Sequence, residues 1–404
     1  MAIQGLRATD DWSSDERPLN WRAGLLLQYP NGSAPLFAMT SLMKKRSVDD
    51  PEFNWWEKSM QTRRLQLSAA ITVGDTTLPV SSGATGFKQN DVFLLESSGT
   101  EVFRVASDPS SDTALVVERG FAGSTAALYD PTAVGANPFI VCIGNAMEEG
   151  SLAPSGVNFD PTKVYNYTQI FRHTFEMTDT ASQTRLRTTD QVKEAKRETM
   201  ELHSTDIERA LWDGQRSENT FNGKPQRTLG GIDSFIDSGN IVTAGASTDM
   251  EQIETWMELA FRFGSSEKVG FCGNYALTVL NQICRKNSTF NLTSGDKEYG
   301  MKVNRLICPH GEIVLKTHPL FNQQVGGLTG GTAYYGKNSW LYILDMEQFK
   351  YVYMKGRDTK YQKKLEDNSL DGIQSGYLTE CSLEVHHPEN HFLIKSLKTA
   401  AIDT

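Results

Sequence analysis

Residues 165–177, YNYTQIFRHTFEM, alternate with a period of two over thirteen positions. Tyr165, Tyr167, Phe171, His173, Phe175 and Met177 fall on one side; Asn166, Thr168, Arg172, Thr174 and Glu176 fall on the other, with Ile170 out of pattern. Successive side chains of a strand point to opposite faces, so this is a long strand with one face covered. The stretch 55–66, WWEKSMQTRRLQ, is read as its extended partner. The period then changes. Thr188 and Gln191 have capping-box spacing, and Val192, Ala195, Thr199, Leu202, Ile207, Ala210 and Leu211 make an approximate apolar stripe that stops at Gly214. Glu194/Arg197, Arg197/Glu201 and Arg209/Asp213 are opposite charges at i+3 or i+4. The spacing predicts a helix over 188–213, roughly 35–40 Å long at 1.5 Å per residue. Its mostly polar surface suits a helix that lies across a structure rather than inside it.

Elsewhere the pattern divides the chain into blocks. Residues 1–48 read as an extended arm with one short helix. Ser33 caps it, Leu36, Met39, Leu42 and Met43 give its apolar face, and Lys44, Lys45 and Arg46 complete its last turn. Residues 67–145 carry only three basic residues, Lys88, Arg104 and Arg119, against eight acidic ones. Short β-rich runs recur there at Thr76–Val80, Asp91–Glu96, Glu101–Ser107 and Thr113–Glu118, separated by turn clusters. That is the pattern of a small all-β barrel or sandwich, read as an inserted domain. Two helices are expected at 249–263 and 275–285, and 303–404 is β-rich, with strands at Ile313–Lys316, Trp340–Leu344, Phe349–Met354, Tyr377–Val385 and Phe392–Lys395.

Composition excludes several classes of function. The 404 residues carry 40 basic and 49 acidic side chains, a net charge of −9, so the bulk charge does not attract nucleic acid. No apolar run approaches the ~20 residues of a membrane span. Cys142, Cys272, Cys284, Cys308 and Cys381 are scattered without a CxxC pair, which argues for a reducing compartment and against a structural zinc site. His386, His387 and His391 form the one histidine cluster, but Pro388 and strand-like flanks make it a turn rather than a metal-binding helix. Asp367–Gly372 lacks the spacing of a calcium loop. The Gly-rich run 326–332 has no lysine to meet phosphates. No catalytic, metal-binding or cofactor-binding residue is assigned.

The blocks suggest a subunit of an assembly. An amphipathic arm helix without a core of its own must dock on something, and apolar residues on extended elements imply partner contacts. The contact candidates are Leu36, Met39, Leu42 and Met43 on the arm, Trp55, Trp56, Arg63 and Arg64 on the first extended strand, and Phe171, Arg172 and Phe175 on the second. Arg63 and Arg64, adjacent on a strand, are expected to point to opposite faces, one of them toward an acid on a neighbour. A tail or decoration protein and a cytoplasmic hydrolase are the competing readings; the long helix counts against the first, the lack of any motif against the second.

The order of blocks resembles that of the major capsid proteins of tailed bacteriophages with the Hong Kong 97-type fold. Asp49–Glu57, Gly230-Gly231-Ile232, Asp345–Phe349 and Ser369–Gly372 are similar to one branch of that family, which also carries a small β domain in its extended loop. The resemblance implies an α+β chain: an N-terminal arm at 1–48, an extended loop at 49–66 and 146–187, and the small β-barrel domain at 67–145. It implies a spine helix and peripheral domain at 188–224, an axial domain at 225–335, and peripheral strands returning to the axial domain at 336–404. It implies hexamers and pentamers in an icosahedral shell around double-stranded DNA, contacted non-specifically, in a virion assembled in the bacterial cytoplasm. The expected partners are copies of the chain, a separate scaffolding protein, since only about thirty residues precede the arm helix, a portal protein and a decoration protein. No membrane and no cofactor are expected.

Overall fold

The computed structural model describes residues 43–58, 62–97, 101–133, 138–184, 190–245, 247–286, 293–298, 301–322, 324–325, 332–367 and 369–398. Leu36, Met39 and Leu42 of the expected arm helix, Thr188 and the Gly-rich run 326–331 lie outside them. The chain divides into two compact units. One joins the residues up to Trp55 to Val164–Thr404; the other is Trp56–Lys163.

In the first unit the alternating segment is present but split. Gln169–Thr178 is a strand in which Phe171 and Phe175 are buried while Ile170, Arg172, Thr174 and Glu176 are exposed. It pairs antiparallel with Gly372–Val385, His173 opposite Tyr377, and not with 55–66. The residues before Thr168 form a second strand, Thr162–Tyr167, which pairs with Glu52–Glu57. The split has a physical cause. Asn166 and Thr168 are buried although polar, because each finds internal partners. Asn166 Nδ2 donates to Leu383 O (2.8 Å) and Gly230 O (3.1 Å), and Thr168 Oγ1 donates to Glu380 (2.9 Å). The buried face therefore changes sides at Thr168.

Lys44–Val48 corrects the arm reading. These residues are not the last turn of a helix; they form a strand parallel to Phe349–Met354, with Lys44 opposite Lys350. The edge of Phe349–Met354 offers unpaired backbone groups that a helix could not satisfy. The resulting five-stranded sheet runs Lys44–Val48, Phe349–Met354, Gly372–Val385, Gln169–Thr178, with Lys360–Gln362 also paired to Gly372–Val385.

The long helix spans Gln191–Asp213 and packs on Gln169–Thr178 and Gly372–Val385. Its cap is Asp190, whose side chain accepts from the N–H groups of Val192 and Lys193, rather than Thr188. Thr199, His203, Ile207 and Leu211, each four residues apart, form the buried stripe, whereas Leu202 is 60% exposed. Arg197 lies 3.7 Å from Glu194 and 3.4 Å from Glu201, as the spacing predicts. The expected Arg209–Asp213 pair is replaced: Arg209 reaches Asp206 at 3.9 Å and Asp213 turns to Lys337. Gly214 closes the helix, where a Cβ would lie 2.4 Å from Ala210 O.

A seven-stranded sheet completes this unit in the order Ile241–Thr243, Phe392–Lys395, Leu341–Leu344, Glu267–Cys272, Gly311–Thr317, Met301–Cys308, Thr293–Glu298. The helices Met250–Ala260 and Asn274–Lys286 fall within the expected ranges or one residue beyond them. Ile253, Met257, Val279 and Leu280 from these helices share a core with Ile313 and Phe392 of the sheet. Lys268 crosses it almost fully buried, donating from Nζ to Ala260 O (2.7 Å), Phe263 O (2.8 Å) and Asn390 O (2.7 Å). Burial lowers its pKa to about 8; the three carbonyls, two of them at a helix C-terminus, make the cation tolerable.

The second unit is a six-stranded antiparallel sheet in the order Arg64–Gln66, Phe139–Asn145, Asp91–Leu95, Val102–Val105, Ala114–Glu118, Thr77–Pro79. A bridge between Leu67 and Val80 joins its first strand to its last and closes it. Alternate residues such as Phe93, Leu95, Phe103, Val105 and Leu115 fill the interior. One buried ion pair is set among them: Arg119 lies 2.6 Å from Glu101 with both side chains nearly inaccessible.

Candidate functional site

Among the described residues, most of those expected to meet a neighbour are already satisfied inside the chain. Met43 packs against the main core. Trp55 is buried, with ring centroids 6.0 Å from Phe53, Phe235 and His386. Phe171 and Phe175 are likewise buried. The expectation that these three aromatic residues are exposed is therefore corrected; Trp56, at 65% exposure, is the one that fits it. Arg63 and Arg64 are corrected too. Arg63 precedes the strand, has a left-handed backbone with φ 48°, and pairs with Asp91 at 2.9 Å. Arg64 forms a two-pronged contact with Glu96 at 2.6 and 2.5 Å and lies 3.8 Å above the Phe139 ring. Both acids lie on Asp91–Leu95 or just after it, so the β unit uses these arginines to brace its own strands. Arg172 is exposed.

The histidine cluster forms the expected turn, a single 3-10 turn at Pro388–Asn390 between two strands. Its members have separate duties. His391 is buried, and burial holds its pKa at about 4. His386 Nε2 lies 2.6 Å from Glu384 Oε1. Among the described residues no group of three His, Cys, Asp or Glu side chains is placed to hold a metal ion, and no helix is long and apolar enough to cross a membrane. The five cysteines are free thiols, and burial pushes Cys272 and Cys381 up to about 12.

What the first unit does present is a groove beside an exposed β-ribbon. Ser217–Phe221 and Lys224–Thr228 pair as an isolated hairpin, turning at Asn222-Gly223 with φ 51° and 71°. Such a turn needs positive φ at both central positions, which Asn-Gly supplies. Phe221, at the ribbon's tip, is 65% exposed, and Ile170 is 56% exposed. Both line the groove with Pro51, Lys224, Arg227 and Glu380. Arg227 is held by Glu218 at 2.7 Å, and Glu380 by Arg357 at 2.5 Å. The floor is thus polar but internally paired, while the two apolar side chains lack cover. The sequence reading missed this ribbon, although Asn-Gly between two short runs is a hairpin signal.

A strand added at a sheet edge, a long helix laid on a sheet and uncovered apolar residues on an exposed ribbon suit a subunit of an assembly. Comparison with known proteins supplies the class: a family model described as the SU10 major capsid protein matches residues 23–398. The chain belongs to that family and is a phage major capsid protein, a component of the virion capsid. The major capsid protein of Pseudomonas phage PaMx41 is 27% identical over 401 residues, covering 93% of this chain and 91% of that one. Among solved structures, the holo-SrpI encapsulin complex from Synechococcus elongatus PCC 7942 is similar at a TM-score of 0.48 and 9% identity, covering 99% of each chain. The capsid of cyanophage P-SCSP1u is similar at a TM-score of 0.47 and 8% identity, covering 97% of each chain.

Proposed function

We propose that copies of this chain assemble as hexamers and pentamers into an icosahedral head of the Hong Kong 97 type that encloses double-stranded DNA. The family match across residues 23–398 carries this reading. In it, Lys44–Val48 is the root of the N-terminal arm, Gln191–Asp213 is the spine helix, and the unit of Asp249–Lys286 and its sheet is the axial domain. Trp56–Lys163 contains the extended loop and its β domain. A net charge of −9 leaves DNA entry to a portal motor rather than to attraction by the shell. A separate scaffolding protein sets the curvature, and decoration of the finished shell is a further role for a partner.

The groove at Phe221 and Ile170 is the surface we assign to a neighbouring copy. Burying two large apolar side chains gains roughly 1.5–3 kcal/mol each, and a closed shell repeats the contact in every subunit. The test is expression of the chain with and without the Phe221→Asp, Ile170→Asp pair, followed by sedimentation and negative-stain microscopy. Capsomers or shells from the unaltered chain support the reading; a clean monomer under all conditions overturns it. Normal shells from the double variant remove the groove but leave the rest standing.

A further inference from the structure

Where the long helix ends, one buried lysine meets two partly exposed carboxylates. Lys337, in the 3-10 turn Tyr334–Ser339, has a side chain only 2% exposed. Its Nζ hydrogen-bonds Asp213 Oδ1, on the last residue of Gln191–Asp213, and lies 3.0 Å from Asp233 Oδ2, on the short helix Ile232–Phe235. Three aromatic rings surround it, with centroids 5.7 Å (Phe321), 5.4 Å (Trp340) and 5.2 Å (Tyr342) from Nζ. Fully ionised, the trio carries one excess negative charge around a buried lysine, with the Asp213 and Asp233 side chains 27% and 23% exposed. Burial, followed by the Asp233 carboxylate, raises the pKa of Asp213 against the pull of Lys337. The helix C-terminus adds partial negative charge beside it. Burial and the Asp233 charge also push the Tyr342 phenol up, so that group stays neutral.

We propose that Lys337 and Asp213 form an intramolecular isopeptide bond, with Asp233 as the proton carrier. Asp233 takes a proton from the Lys337 ammonium. The freed nitrogen lone pair attacks Cγ of the protonated Asp213 carboxyl, forming the C–N bond. The proton on Asp233 passes to the departing hydroxyl, which leaves as water, and Asp233 regains a proton from the new amide nitrogen. One lysine ammonium, one carboxylic acid and one carboxylate become one amide, one water and one carboxylic acid, so atoms and charge balance without another reactant. Water opposes amide formation in solution, but groups held in contact reach effective molarities of roughly 10⁵ M and above. The product also removes the charge of the buried lysine. The bond would close a loop of 124 residues, tying the end of the long helix to the turn before Leu341–Leu344. A shell under internal pressure would then bear load on a covalent strap within each subunit.

The experiment is intact mass spectrometry of the purified full-length chain and of assembled particles, with tandem sequencing of the proteolytic peptides. The expected result is a mass lower by one water and a branched peptide joining Asp213 to Lys337, with no cleavage by trypsin at Lys337. The branched peptide separates this bond from a cyclic imide, which loses the same mass. Lys337→Arg and Asp213→Ala should have the full sequence mass. Asp233→Asn keeps both reacting groups and should link roughly a hundredfold more slowly, the scale of lost acid–base assistance. If any of the three variants fails to fold, the unaltered chain still decides the matter: full sequence mass with linear peptides ending at Lys337 overturns the proposal and leaves an ion pair.

Discussion

Arg46 Nη1 lies 2.7 Å from Glu384 Oε2, although the two residues are 338 positions apart. Glu384 is nearly inaccessible and also meets Lys350 at 3.0 Å and His386 at 2.6 Å. Burial alone would raise its pKa; the hydrogen bonds from His386, Lys350 and Arg46 overcome that and hold it at about 2. The carboxylate thus clamps the arm strand to the sheet. Arg46 is 44% exposed, so solvent screens its share, and Arg46→Ala should cost about 1 kcal/mol or less. Glu384→Ala should cost more, about 1–3 kcal/mol, because it removes three charge-assisted hydrogen bonds at once while water reaches the cations left behind. Denaturant melts of both variants check the order; equal costs would contradict the clamp. The depressed pKa has a sign as well. Its contribution is complete above the usual glutamate range and fades as pH falls from there through about 2.

His203 predicts a second, separate pH effect. Its Nδ1 lies 3.0 Å from His173 Nδ1 and its Nε2 lies 2.7 Å from Thr379 Oγ1, while His173 Nε2 is 2.9 Å from Asp206. Two imidazole nitrogens that close can share only one proton. Burial, then the His173 charge, lowers the His203 pKa to about 4. The folded state therefore binds this proton later than the unfolded state does. Stability is complete above pH about 6.5 and falls by roughly 3 kcal/mol as pH drops to about 4. His391, also at about 4, adds a similar slope. His203→Gln should flatten about half of the pH dependence of the melting temperature between pH 7 and 4. An unchanged slope would refute the assignment.

Gly376 tests the long strand pair. A Cβ there would lie 2.3 Å from His173 O, on the neighbouring strand. Gly376→Ala must push Gln169–Thr178 away and loosen the long helix that rests on it. A loss of about 1–3 kcal/mol is expected, the usual scale of overpacking. Gly356→Ala gives the contrast. No atom lies within 4 Å of its added Cβ, and its cost comes only from its φ of +76°.

These sites also show what the sequence could and could not convey. The phase of Gln169–Thr178 was legible because Phe171 and Phe175 repeat at strand spacing. Its partner was legible as a strand only over Tyr377–Val385, because Gly372–Ser375 reads as Gly-Ile-Gln-Ser, too polar to announce the start of a strand that is buried from Ser375 onward. Pairing across some two hundred residues leaves no periodic trace. Asn166 misled for a related reason. Its burial depends on Leu383 O and Gly230 O, neither of which its neighbours in sequence announce. The arm cations at Lys44–Arg46 fit a helix end by local rules, but the sheet edge and Glu384 outweigh local preference. Trp55 and Phe171 are apolar residues on extended segments, and only the packing of distant elements decides that they face inward.

The β unit can be cut out at one pair of positions and not at another. The expected domain, 67–145, begins just past Arg64–Gln66. That strand belongs to the closed sheet, pairs with Phe139–Asn145 and buries Leu65 in the interior. Replacing 67–145 with a short Gly/Ser linker would leave Leu65 uncovered and remove the strand that Arg64–Gln66 pairs with. Replacing 58–161 instead keeps Glu52–Glu57 and Thr162–Tyr167, which pair with each other. Neither of the two core clusters of the remaining unit draws on the removed residues. Loop closure adds little, since its cost grows only logarithmically with length. The longer deletion should therefore yield a soluble chain with cooperative unfolding and native tryptophan fluorescence, whereas the shorter one aggregates. Comparing the two by size exclusion and denaturant melts decides it: insolubility of the 58–161 deletion alone would show that the larger unit depends on the β unit for its fold.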